Sequence, residues 1–183
     1  MASKWICFFS QTGSEIANIV NKLKITPDLI ITNRENLEGV NSYILNNLKD
    51  RIVYLPSKPV LNDYDKLVNQ YKDIFNDSII TLHGFLRIIP GEICNSYNIY
   101  NLHPGLITKY PELKGFNPQE KAFKLKLKTS GSVIHKVIAE VDSGEILDSV
   151  EIGIDNLTLD QVYQELHNIS TELWVKFLTK EFK

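Results

Sequence analysis

Five short, nearly unbroken apolar runs dominate the first part of the chain: residues 4–9 (KWICFF), 28–32 (DLIIT), 51–55 (RIVYL), 78–82 (SIITL) and 97–102 (YNIYNL). Runs this short, apolar on successive residues rather than on alternate ones, read as strands buried on both faces. Helical patterns lie between them. Ile16, Ile19, Val20 and Leu23 share one helix face, residues 41–48 form a weaker helix, and a third helix begins at Asn62. Asn62 is expected to cap that helix, with Asp65 in its first turn and an apolar stripe of Tyr64, Leu67, Val68, Tyr71, Ile74 and Phe75. Strands that alternate with helices build a parallel sheet covered on both faces. The expected class is therefore α/β: a doubly wound, mostly parallel, Rossmann-type sheet.

The remainder of the chain continues this plan. Pro90 opens a short helix, residues 104–117 are irregular, and a helix follows near 118–126. Residues 131–138 and 144–152 read as two late strands. Thr158 with Gln161 forms a capping box for a terminal helix whose stripe includes Val162, Leu166, Leu173, Trp174 and Phe177. A chain of 183 residues without linker, repeat or low-complexity tract reads as one domain, 1–183. Net charge is -2 with both signs interspersed, which argues against a nucleic-acid or membrane partner and leaves monomer and homodimer both open. The apolar run Ile6 to Phe9 is too short for a signal peptide or a membrane span. Cys7 and Cys94 are the only cysteines, so no disulfide framework or cysteine-rich metal site is expected, and the reading is a reduced, cytoplasmic protein.

The fifth apolar run ends in Asn101 and His103 and breaks at Pro104-Gly105. Residues two apart on a strand share a face. In a doubly wound sheet the carboxyl ends of the strands border the ligand crevice. Asp142 adds a carboxylate in a Gly-containing bend, AEVDSGEI. An amide, an imidazole and a carboxylate suit acyl transfer to an amine. Asn101 can donate to an oxyanion, and His103 can do the same when protonated or act as general acid. Asp142 can raise the His103 pKa and take up the proton of the amine. On spacing alone the alternative is a capped strand end, a satisfied histidine and a turn aspartate. His83 likewise reads either as a buried, hydrogen-bonded residue or as a border of the pocket.

Three blocks resemble the folate-dependent formyltransferases, most closely the branch that acts on glycinamide ribonucleotide. They are GFLRIIP (84–90), NLHPGLITKYPELKG (101–115) and GSVIHKVIAEVDSGEIL (131–147), which agree in order and spacing, including the seven steps from His135 to Asp142. The resemblance implies a single formyltransferase domain with 10-formyltetrahydrofolate as co-substrate, no metal, and a small-molecule amine as acceptor. Glycinamide ribonucleotide is the first expectation. An amino sugar nucleotide, a modified nucleotide or a non-catalytic folate-binding relative are the alternatives. Asn101, His103 and Asp142 match the family's catalytic residues, and His135 matches a supporting histidine. Leu86, Arg87 and Ile88 would line the pterin pocket, with Val141, Ser143 and Gly144 closing its other side. Thr12, Gly13, Ser14 and Glu15 occupy the acceptor-phosphate loop.

The chain also departs from that pattern. Its loop after the first strand, Ser10-Gln11-Thr12-Gly13-Ser14-Glu15, has one glycine fewer, and Glu15 replaces an Asn. A carboxylate there either favours the first helical turn or repels a phosphate dianion, and both readings stand open. Leu166 occupies the position of a family acid that holds the acceptor. Residues 112–118 differ from the family's Gly-Leu-His-Thr-His. Lys114 reads either as solvated or as a partner for a folate glutamate tail. Lys121, Lys124, Lys126 and Lys128 read either as a solvated helix face or as an edge for a polyanion.

Overall fold

The computed structural model describes residues 4–182. The five apolar runs become β1 (Lys4–Phe9), β2 (Leu29–Thr32), β3 (Ile52–Tyr54), β4 (Ser78–Leu82) and β5 (Asn98–His103). All pair in parallel. β6 (Thr129–Lys136) and β7 (Ile146–Gly153) extend the sheet antiparallel, giving the order β3-β2-β1-β4-β5-β6-β7. The order reverses beside β1, so the crevice between the carboxyl ends of β1 and β4 is the switch point where such sheets take ligands.

Side-chain alternation on β1 explains why the run is apolar throughout. Trp5, Cys7 and Phe9 enter one core with α1 (Ser14–Leu23), α2 (Ser42–Asn47) and the terminal helix α7 (Leu159–Glu181). Ile6 and Phe8 enter the opposite core with α3 (Leu61–Gln70), α4 (Lys72–Phe75) and α5 (Gly91–Ser96). A third cluster gathers the irregular 104–117 segment, α6 (Pro118–Lys124) and the start of α7 around Leu113, Val133 and Leu166. Each strand of the parallel part is thus sandwiched, which removes the polar alternation a half-exposed sheet would show.

Three local expectations are corrected. The cap of α3 is Val60 rather than Asn62, because the Asp63 carboxylate accepts the Val60 N–H at 2.9 Å and ends the extended segment two residues earlier. The helix predicted to run through Phe75 breaks at Tyr71, which leaves helical geometry (φ -116°), so Ile74 and Phe75 belong to α4. His103 lies inside β5, which runs one residue further than the pattern suggested.

The β6–β7 connection contains Asp142 in a left-handed conformation (φ 51°), which aspartate tolerates better than most residues. Gly144 follows. A Cβ at this position would stand 1.8 Å from the Lys136 carbonyl oxygen, so only glycine lets the bend close onto the end of β6. Gly144→Ala is expected to destabilise the fold by about 2–3 kcal/mol in urea unfolding, since backbone must move. A loss under ~0.5 kcal/mol, the range of ordinary surface changes, would contradict this close approach.

Candidate active site

The tip of β5 and the neighbouring β6 supply the first two groups. Antiparallel register sets Asn101 directly opposite His135. The His135 Nδ1–H donates to the Lys136 carbonyl at 3.0 Å, which leaves Nε2 to accept the Asn101 amide at 3.2 Å. One amide hydrogen of Asn101 is therefore committed and the second is not.

His103 is held by the irregular segment that follows its strand. Its Nε2–H donates to the Leu113 carbonyl at 2.8 Å, and its Nδ1 lies 3.3 Å from Asp142 Oδ2. The same carboxylate oxygen accepts the Gly115 N–H at 2.9 Å, while Oδ1 stands 3.5 Å from His135 Nε2. Segment 113–115 thus grips His103 with a carbonyl and Asp142 with an amide. Lys114 ties down the same bend by donating to Ser143 Oγ at 2.9 Å. His103, His135 and Asp142 are buried, and Asn101 is half-buried.

Burial pushes the His103 pKa down, and the opposing influences of Asp142 and the Leu113 carbonyl only partly offset it. Burial would raise the Asp142 carboxyl, but the neighbouring His135 and His103 imidazoles and the Gly115 N–H outweigh it and hold the carboxyl low. At neutral pH the pair is therefore a neutral imidazole beside a carboxylate. Because Nε2 carries the hydrogen, the Nδ1 lone pair faces Asp142 Oδ2. A proton arriving between them is bound by both. This is the geometry of a proton acceptor whose protonated form is stabilised at once.

Other candidate residues lie elsewhere around the crevice. The Leu86 N–H donates to Ser10 Oγ at 2.9 Å, and Arg87 donates to the Ser57 carbonyl at 2.7 Å. Both line a cavity of about 330 Å³ with Ser10, Asn33 and Arg34, apart from the Asp142 cluster. The segment meets the 137–144 region further along: Val137 packs on the cluster of Ile89, Ile93 and Cys94, and a Cβ on Gly91 would lie 3.2 Å from that of Ala139. Ile88 and Val141 are exposed there.

Thr12 and Ser14 share a hydrogen bond at 2.7 Å, and Gly13 precedes α1 at φ 70°. Arg34 braces this loop through the carbonyls of Ser10 and Gln11. Glu15 does not point into the loop. Its Oε2 receives His83 Nδ1 at 2.7 Å and Trp174 Nε1 at 3.1 Å. His83 is consequently a buried, paired histidine. Leu166 is core, and Lys121 and Lys124 are occupied by the Lys114 carbonyl and Glu120. A larger cavity, about 540 Å³, is bounded by Glu15, His83, Gly84, Pro104, Tyr163 and His167, among others. Sequence reasoning missed both the 113–115 clamp and the Glu15–His83 pairing, although both partners of the latter were flagged singly.

Among the described residues no helix is long and apolar enough to cross a membrane. Residues 3–178 match the family model described as formyl transferase. The phosphoribosylglycinamide formyltransferase of Dictyostelium discoideum is 30% identical over 191 aligned positions, covering 88% of this chain and 90% of that protein. The Thermotoga neapolitana methionyl-tRNA formyltransferase is 28% identical over 85% of this chain, which spans 44% of that relative. The chain spans only 16% of the trifunctional purine biosynthetic protein adenosine-3 of Gallus gallus. The solved phosphoribosylglycinamide formyltransferase of Campylobacter jejuni superposes with a TM-score of 0.84 at 24% identity, over 100% of this chain and 99% of that one. With a family model spanning nearly its whole length, a full-length relative at this identity and the same sheet, the chain belongs to the formyl transferase family.

Proposed function

We propose that the chain transfers the formyl group of 10-formyltetrahydrofolate to glycinamide ribonucleotide, with Asn101, His103 and Asp142 as the groups that act on the reacting atoms. The observation that carries this reading is one connected cluster: Nδ1 of His103 lies 3.3 Å from Asp142, Asp142 stands 3.5 Å from His135, and His135 holds one amide hydrogen of Asn101 and leaves the other uncommitted. Family membership supplies the reaction class, and the names of the Dictyostelium and Campylobacter relatives support the acceptor.

The donor supplies the formyl carbon. Its flat pterin would lie along segment 86–91 and the 137–144 bend, a reading supported by the exposed apolar side chains of Leu86, Ile88 and Val141. The side chain of Arg87 is spent on Ser57, so this segment would meet the pterin through its backbone and apolar side chains. Around the reacting atoms the residues divide the work. The second amide hydrogen of Asn101 meets the negative charge that develops on the formyl oxygen. His103 Nδ1 takes the proton of the attacking amine, and Asp142 stabilises the resulting imidazolium. That proton then passes to the departing folate nitrogen, so the amine gains the formyl group and the donor leaves as tetrahydrofolate. His135 orients Asn101 and touches the second oxygen of Asp142.

Release of tetrahydrofolate, followed by absorbance, tests the assignment. Glycinamide ribonucleotide is expected to trigger release. Release with amino sugar nucleotides alone would redirect the acceptor, and donor binding without release from any amine would mark a folate-binding protein. His103→Ala is expected to lower turnover by roughly 10²–10⁴-fold with donor affinity retained. A fall of less than ~10-fold would remove His103 from the chemistry.

The pH profile gives an independent check. His103 accepts a proton only when neutral, and its folded pKa lies below the ordinary 6.5. Activity is therefore expected to hold as pH falls past that value and to decline only further into the acid range. An acid limb displaced above the ordinary value would contradict the assigned role. Stability follows the same sign. Because the folded pKa is depressed, the contribution of His103 is present above the unfolded value and lost as pH falls through the folded one. His103→Gln should remove that part of the slope in urea unfolding measured at successive pH values.

A further inference from the structure

A row of hydrogen bonds runs from α6 to the bend that carries Asp142. Its direction is fixed, because an ammonium only donates and a carbonyl only accepts. Lys121 Nζ, on α6, gives to the Lys114 carbonyl at 2.7 Å. The side chain of Lys114 gives to Ser143 Oγ at 2.9 Å, and the Ser143 hydroxyl gives to the Val141 carbonyl at 3.0 Å. The row therefore starts on a helix and ends on the two residues that flank Asp142. The residues on either side of Lys114 complete the grip: the Leu113 carbonyl accepts from His103, and the Gly115 N–H donates to Asp142. Three successive residues, 113, 114 and 115, thus hold the imidazole, the bend and the carboxylate.

The bend needs such a hold. Asp142 stands at φ 51°, and left-handed backbone at a residue with a Cβ persists only where its surroundings fix it. The close approach of Gly144 to Lys136 fixes one side of the bend. Lys114 and Ser143 face each other on the other side, Lys114 exposed and Ser143 half-buried. A hydrogen bond so open to water adds little to the stability of the fold. Its consequence lies in where Asp142 stands.

We propose that Lys114 is a positioning residue for the proton-accepting pair: through Ser143 it fixes the bend so that the Asp142 carboxylate stays against the His103 imidazole. Lys121 anchors it from α6. This rests on the formyl-transfer reading above, and the role needs no contact between Lys114 and either substrate.

Initial rates with 10-formyltetrahydrofolate and glycinamide ribonucleotide, both saturating, test it in Lys114→Met, Ser143→Ala and the double variant. Each single change is expected to lower kcat by roughly 10-fold, short of the ~10²-fold that follows a full ångström of misplacement. Because the two side chains act through one bond, the double variant should fall no further than the worse single one. Lys114→Arg, which keeps a donor, should recover most of the loss. Fully additive losses would overturn the proposal. So would a rise in donor KM with kcat unchanged, which would set Lys114 against the donor instead of the bend.

The His103 imidazole supplies a readout that does not depend on turnover. Asp142 raises its pKa, whereas burial, His135 and Lys121 lower it. Ser143→Ala alters no charge, so movement of the ¹⁵N titration midpoint of His103 reports the position of Asp142. The midpoint should fall toward that of Asp142→Asn as the carboxylate moves away. If the parent protein turns over no acceptor, the formyl-transfer reading fails by itself and this titration still decides the inference. A lowered midpoint in Ser143→Ala supports it; an unmoved or raised one overturns it.

Discussion

Asp142 is the residue on which the centre of this molecule depends. Its carboxylate lies between the His103 and His135 imidazoles and accepts the backbone N–H of Gly115, all largely out of water. A carboxylate so buried is tolerated only where donors surround it. Here the Gly115 N–H from the irregular segment after β5 donates to it, and imidazole nitrogens of His103 on β5 and His135 on β6 stand 3.3 and 3.5 Å away. The left-handed backbone of Asp142 and the close approach of Gly144 to Lys136 aim the carboxylate inward. Remove the carboxylate and the two histidines lose their shared partner and Gly115 loses the acceptor of its N–H.

A second polar system lies on the other side of β5, and its logic is different. Around Asp142 the contacts leave Nδ1 of one imidazole able to gain a proton. From Trp5 to Glu15 hydrogen bonds through Thr81 and His83 tie β1 and β4 to α1, and Trp174 of α7 joins at the same carboxylate. The first is assembled from β5, β6 and the connections that carry Leu113, Gly115 and Asp142; the second is assembled from β1, β4, α1 and α7.

Much of this was legible in the residues. The unbroken apolar runs gave the parallel sheet because strands covered by helices on both faces have no polar side to show. The two-residue spacing of Asn101 and His103 gave their shared face. The blocks around 101–115 and 131–147 gave the family. What the sequence did not reveal were contacts made by backbone: the Leu113 carbonyl on His103 and the Gly115 amide on Asp142 leave no side-chain signature. The cap of α3 went to Val60 because a downstream Asp63 captured its N–H, a competition that preference for Asn at caps does not resolve. Glu15 and His83 were each ambiguous alone. Their pairing depends on β4 lying beside β1, a fact of topology between residues 68 positions apart.

The most direct test of the central claim is the titration of the His103 imidazole, followed by its ¹⁵N resonances in the parent protein and in Asp142→Asn. Burial lowers the His103 pKa and Asp142 works against that lowering. The midpoint should therefore lie below the ordinary histidine value in the parent and fall further in the variant, with Nε2 protonated throughout. An unchanged midpoint in Asp142→Asn, or a neutral form protonated at Nδ1 instead, would show that the carboxylate and the imidazole do not share a proton.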